Sequence, residues 1–286
     1  MFDLRYHVAS LAAVFVALIV GILVGVGLAG SGVNKADLSL AQAQRDDWIK
    51  TANTYKQQRD QLRRTSEAFQ LAYPEMMRDL LSGQHVAVLF VGATDGGVKQ
   101  AIDQTLDDAG AAPTVRVLSL SVPVNADELD GVLFNKGPQF VKYAGNDKLE
   151  SLGSALGEEF ATGGSTPLWK ALGRQLIGQR TGDARTRVDG VVIARTSKPQ
   201  QGDTARFLRG LYSGLASAGI PAVGVEKSET TPTAVKVYRD RGLSAVDDID
   251  EMTGRAALAL LLAGGALGSY GTGDDADAIL PTLPSG

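Results

Sequence analysis

HVAVLFVGATDGGVKQAIDQTLDDAGAAPTVRVLSLSV, residues 85–122, decides the fold. Its opening run, His85–Ala93, is short, apolar and rich in Val, as suits a strand buried on both faces. From Gly96 to Ala109 the apolar positions Val98, Ile102, Leu106 and Ala109, with Thr105 beside them, fall on one side of a helix. Val115–Val122 reads as a second strand. Strand, helix and strand in this order form a βαβ unit, which pairs its strands in parallel.

The same order returns downstream. Val188–Arg195 is a strand, Thr204–Ala218 a helix, and Ile220–Glu226 a strand after the turn at Gly219–Pro221. The approaches AGAAPTVRV and SAGIPAVGV match: a small-residue helix end, then Pro, then an apolar strand. Two such units argue for an α/β fold with a mostly parallel sheet flanked by helices. Helices over 148–161 and 167–178 fill the middle. Near the end, Ser244–Val246 reads as a strand and Thr253–Ala263 as an apolar helix too short to cross a membrane. The α/β domain therefore covers 84–272, and 273–286 is a flexible, loop-like tail.

Upstream, Asn34 to Tyr73 contains no Gly or Pro, so it reads as one long helix that Pro74 ends. Ala41, Trp48, Tyr55, Leu62 and Phe69 fall seven apart and form a largely apolar seam. Leu38, Arg45, Ala52, Arg59, Ser66 and Tyr73 fill the alternate positions and are mixed. Residues 34–80 thus read as a coiled-coil stalk pairing along one seam, the alternative being a helix folded back on the domain. The stalk charges read as a solvated face.

Before the stalk, MFDLRYHVASLAAVFVALIVGILVGVGLAG opens the chain, with no charged residue from Val8 to Ala29. That run of 22 residues reaches about 33 Å as a helix, enough to cross a hydrocarbon core of about 30 Å. It exceeds a secretory h-region and lacks a clean A-x-A cleavage site, so a retained anchor within 1–33 is favoured over a cleaved signal. Ala13, Ala17, Gly21, Gly25 and Ala29 recur every four positions, a small-residue face suited to helix pairing in lipid. Arg5 before the run weakly favours a cytoplasmic N-terminus, and a short tail followed by a large domain suits a single-pass anchor that exports the C-terminal domain. Membrane lipid and a second copy, met through anchor and stalk, are the expected partners.

The net charge of −4 gives no basic field for nucleic acid. The absence of Cys excludes disulfides, thiolate metal sites and a cysteine nucleophile. No G-x-S-x-G elbow, H-E-x-x-H or Walker loop is present, so an enzyme is not expected. GATDGG, residues 92–97, follows the first strand where a phosphate-cradling loop would lie, although a tight turn uses the same residues. The acids Asp247, Asp248, Asp250 and Glu251 either attract a hard cation or, more simply, form a solvated loop before a helix N-terminus.

Two stretches, YHVASLAAVFVALIVGILVGVG (Tyr6–Gly27) and GLSAVDDIDEMTGRAALALLLAGGALGSYG (Gly242–Gly271), resemble the actinobacterial MctB-type copper transport proteins. The resemblance runs from anchor through stalk to the late acidic turn. It implies copper export or homeostasis in the cell envelope, with copper as a transported ion and a pore built by an oligomer. A non-enzymatic envelope scaffold that holds protein partners is the alternative. Copper ligands in this chain are few: two His, four Met and no Cys. Met76, Met77 and His85, close in sequence, are the candidate metal ligands, and packing between stalk and domain is the plainer role for the two Met. No tightly bound cofactor is expected.

Overall fold

A computed structural model describes residues 14–23, 35–183 and 185–283, with side chains in the long helix from Gln42 onward. The chain divides into two compact units, residues 1–68 and 69–286.

In the first unit, residues 14–23 are helical and their large apolar side chains, such as Phe15, Ile19 and Leu23, are exposed. Of the expected small-residue face, Ala17 and Gly21 lie here, while Ala13, Gly25 and Ala29 lie outside the described residues. Among the described residues no helix is long and apolar enough to cross a membrane, but most of Val8–Ala29 falls outside them. Helix α1 (Lys35–Met77) carries the heptad positions Trp48, Tyr55 and Leu62, all well exposed; the side chain of Ala41 is outside the described residues.

The sequence ends this helix before Pro74, but α1 runs on to Met77. Proline lacks an N–H and forfeits one hydrogen bond to the preceding turn. Packing in the second unit offsets that loss. Tyr73 and Met77 are buried, the Tyr73 hydroxyl lies 2.9 Å from an Asp108 carboxylate oxygen, and Arg78 N donates to Pro74 O at 3.1 Å. The last turns of α1, from Phe69, therefore belong to the globular unit.

That unit is built on β1 (Val86–Val91), α2 (Gly96–Asp108), β2 (Arg116–Leu120), α3 (Ala126–Lys136), the short α4 (Pro138–Val141), α5 (Leu149–Thr162) and α6 (Pro167–Leu176). It continues through β3 (Ile177–Gly182), β4 (Gly190–Arg195), α7 (Gly202–Ala216), β5 (Ala222–Val225), the short α8 (Val235–Arg239), β6 (Ser244–Val246), α9 (Met252–Leu262) and β7 (Ser269–Tyr270). The sheet order is β3-β2-β1-β4-β5-β6-β7, parallel throughout except for β3, which runs antiparallel to β2 at one edge. Both expected βαβ units are present, as β1-α2-β2 and β4-α7-β5.

The central strands are apolar along their whole length because helices cover both faces. Alternation sends Ala87, Leu89, Val91, Val191 and Ile193 to one core, shared with α3, α5, α6 and α7. Val86, Val88, Phe90, Val192 and Ala194 enter the other, shared with α2, α9 and the end of α1. On the first face α5 and α7 touch backbone to backbone. A Cβ on Gly210 would sit 1.9 Å from Glu150 O, and one on Gly214 2.0 Å from Ser154 O. Gly153 and Gly157 meet Phe207 O and Leu211 O in the same way. At the β3 edge the buried Arg116 guanidinium donates to Phe160 O at 2.7 Å and Thr186 O at 2.9 Å, placing a cation at the carbonyl end of α5.

Of the stretch expected as a flexible tail, residues 273–283 are described and run along β7. Ser269 N donates to Asp277, Gly271 N to Ala278 O and Ala266 N to Thr282 O.

Candidate functional site

The parallel strands end together at one end of the sheet, where α/β folds bind ligands. The order reverses between β1 and β4, since β2 lies on one side of β1 and β4 on the other. At this crevice the loop after β1 is strapped to the loop after β4. The Thr196 hydroxyl donates to Ala93 O at 2.6 Å, and the amides of Thr196 and Ser197 donate to Val91 O at 3.1 and 3.0 Å. Gly92 has φ +116°, and a Cβ there would meet Thr196 Oγ1 at 2.8 Å, so the two loops close only over glycine.

GATDGG, residues 92–97, is the tight turn that carries the chain from β1 into α2. Asp95 caps α2, accepting from Val98 N at 2.9 Å on Oδ1, and Lys227 Nζ lies 3.0 Å from the same oxygen. The Val98 amide is the main cause that holds the Asp95 carboxyl below its usual range, with Lys227 adding to it and partial burial opposing. The N-terminus of α2 is thus capped by the protein's own carboxylate.

Beyond β5, β6 and β7 an acidic cleft of about 710 Å³ opens, lined by Glu226, Glu229, Asp247, Glu251, Asp274 and Asp275 among threonines and Ser228. The expected solvated loop forms only in part, with Asp250 and Glu251 exposed. Asp247 and Asp248 are buried, and Glu226 beside them is as well. Asp247, Glu226 and Asp250 hold loops, and Asp248 meets the first turn of α9. Asp247 accepts from Thr272 N and Gly273 N, both at 3.1 Å. Glu226 accepts from Ala234 N at 2.7 Å and from the Thr233 hydroxyl. Asp250 accepts from the amide and hydroxyl of Ser228 at 2.7 Å, and Asp248 from the Thr253 hydroxyl at 2.8 Å.

Burial is the leading cause that raises the carboxyls of Glu226, Asp247 and Asp248 above their usual range. Asp250 goes the other way: burial acts upward but the Ser228 bonds outweigh it. A Cβ on Gly271 would lie 1.8 Å from Asp247 Oδ1, so this corner of the cleft requires glycine. Among the described residues no cluster of His, Cys, Asp or Glu is arranged to hold a metal.

The three candidate copper ligands sit in different surroundings. Met77 is fully buried in the core that α1 shares with α2, and Met76 packs on the rim of that core. His85, half-exposed at the start of β1, has Nδ1 3.4 Å from Asp189 Oδ2, and its amide donates to the same oxygen at 2.8 Å. Asp189, which no motif marks, is what the sequence reading missed here.

Comparison with known proteins decides the family. The family model described as "Copper transport outer membrane protein, MctB" matches residues 1–281. The chain belongs to this family. Two relatives, each named "Copper transporter MctB", come from Mycobacterium bovis and Mycobacterium tuberculosis. Each is 28% identical over 315 residues, covering 96% of this chain and 98% of the relative. The MctB likeness therefore runs through the long helix and the α/β unit alike.

Proposed function

We propose that this protein serves copper export and homeostasis in the cell envelope, as a non-enzymatic oligomer anchored by its apolar N-terminal run. The observation that carries this reading is the family match over residues 1–281, which spans both units. The N-terminus lies in the cytoplasm and the α/β unit is exported. Copper is cargo: thioether and imidazole are the groups that would meet Cu(I), and the one described His is half-exposed while Met77 is shielded in the core. A path through lipid needs several spanning helices or a closed barrel. One anchor per chain supplies neither, so a pore requires several copies or another component.

A second reading, an envelope scaffold, is favoured by the exposed seam of α1, where Trp48, Tyr55 and Leu62 are 76%, 68% and 71% exposed. Those side chains suit a second copy or a partner helix.

Growth of a deletion strain across a copper series tests the choice. Copper sensitivity, restored by the full chain, supports the copper reading. A strain indifferent to copper moves the scaffold reading to first place. Calorimetry of the full chain with both copper oxidation states, repeated on His85→Ala and Met76→Ala, reports whether the ion is bound directly.

A further inference from the structure

The switch-point crevice is strapped shut, but a second opening lies at the carboxyl end of β4, on the face covered by α7 and α8. It measures about 260 Å³ and is lined by Arg195, Arg209, Arg241 and Asp240 over a wall that includes Leu208 and Tyr212. Arg195 is the last residue of β4. Its amide donates to the Tyr238 hydroxyl at 3.0 Å, which fixes the strand end, and one guanidinium nitrogen donates to Pro232 O, which leaves the rest of the fork for the opening. Arg209, from α7, lies 3.5 Å from Glu150 at the outer side, a long contact that leaves most of its fork free. Arg241, just beyond α8, makes no ion pair among the described residues.

The single acid of the lining has a cation of its own: Lys236 Nζ lies 3.1 Å from both Asp240 oxygens. The opening is therefore cationic in a chain whose net charge is −4. Its floor is apolar, formed by the buried Leu208 and Tyr212. Guanidinium forks bind the paired oxygens of phosphate and carboxylate in two-point fashion, and a low-dielectric wall strengthens such contacts. Position, charge and a half-apolar lining together describe a small-ligand site.

We infer that this cavity binds a small molecule bearing a phosphate or carboxylate oxyanion, held by Arg195, Arg209 and Arg241 with its less polar part against Leu208 and Tyr212. The site is distinct from the copper role and from the acidic cleft beyond β5 to β7. The test is thermal unfolding and calorimetry of the full chain with inorganic phosphate, glycerol phosphate, citrate and a short-chain phosphatidic acid, all at one ionic strength. A saturable rise in Tm of about 3–6 °C at about ten times Kd is expected for at least one of them. That rise should be lost in Arg241→Gln and in Arg209→Gln/Arg241→Gln and kept in Arg185→Gln, which lies elsewhere. A response to phosphate and glycerol phosphate identifies a free phosphoryl compound; a response to the phosphatidic acid alone identifies a lipid headgroup; a response to citrate alone identifies a carboxylate. The inference is overturned if no anion raises Tm, or if the rise survives in Arg241→Gln.

Discussion

At Met77 a residue suggested as a copper ligand turns out to be a core side chain. It is fully buried among Tyr73, Leu81 and the apolar face of α2. Replacement by Leu conserves volume and should cost under about 1.5 kcal/mol, whereas Ala leaves a cavity and should cost about 2–5 kcal/mol. Urea unfolding of the two variants checks this. Copper affinity, by calorimetry, should be unchanged in Met77→Leu, and a large loss there would return the thioether to the ligand set.

Asp248 is the second residue whose role burial decides. One carboxylate oxygen meets the Thr253 hydroxyl, and the other is buried without a partner. Its folded-state carboxyl is raised, chiefly by burial. The native state therefore holds a proton that the unfolded chain has released, over the window from the ordinary aspartate value of about 3.9 upward. In that window this group's contribution falls as pH rises. Asp248→Asn keeps an acceptor for Thr253 and removes the titration. Its stability relative to the parent should improve between about pH 4 and neutrality. Urea midpoints at several pH values read this out, and a constant difference would refute it. Asp95 has the opposite sign: its carboxyl is lowered, first by the Val98 amide, so its contribution is present above the usual aspartate range and lost on acidification.

At the scale of elements, the α5–α7 pair depends on glycines facing each other across the contact. A Cβ on Gly210 would overlap a backbone carbonyl, not a movable side chain. Gly210→Ala should destabilise by about 1–3 kcal/mol despite the better helix propensity of alanine, because the helices must separate. A stabilised variant in urea unfolding would show that the pair can spread freely. The α1 seam makes a different prediction. Trp48→Ser with Leu62→Ser removes exposed apolar surface and should lower the self-association measured by analytical ultracentrifugation. The unfolding temperature of the α/β unit should stay unchanged. Retained association would remove the stalk as a pairing surface.

Element identity was legible wherever period and length agreed. The apolar run through β1 and the helix after Asp95 were readable from residues alone, as was the parallel pairing of β4 with β5. Helix α3 went unread although its signals are present: Asn125 caps it, Asp127 and Glu128 fill its first turn, and Gly137 follows its end. Strand β3, IGQRTG, had no pattern to read. All but its first residue are exposed, so no alternation marks it, and it becomes a strand only by pairing with β2.

For the whole molecule, the division at residues 68 and 69 means that the sheet and its two helical layers form one folding unit that includes the last turns of α1. Residues 69–286 expressed alone should unfold in a single cooperative transition, whereas a version beginning after Met77 should be destabilised by loss of the buried Tyr73 and Met77. Chemical denaturation followed by near- and far-ultraviolet circular dichroism distinguishes the two.

Sequence alone determined the α/β class, the two βαβ units and the long helix, because buried strands and amphipathic helices write their period into local composition. Tertiary structure decided what the polar residues do. Asp95 caps α2 and meets Lys227, Asp247 turns inward to hold a loop and Asp248 to hold the start of α9, and α1 passes Pro74. Arg195, Arg209 and Arg241 meet at one opening. Each of these outcomes depends on partners far away in the chain, and local sequence carries no record of which partner folding will bring within hydrogen-bond reach.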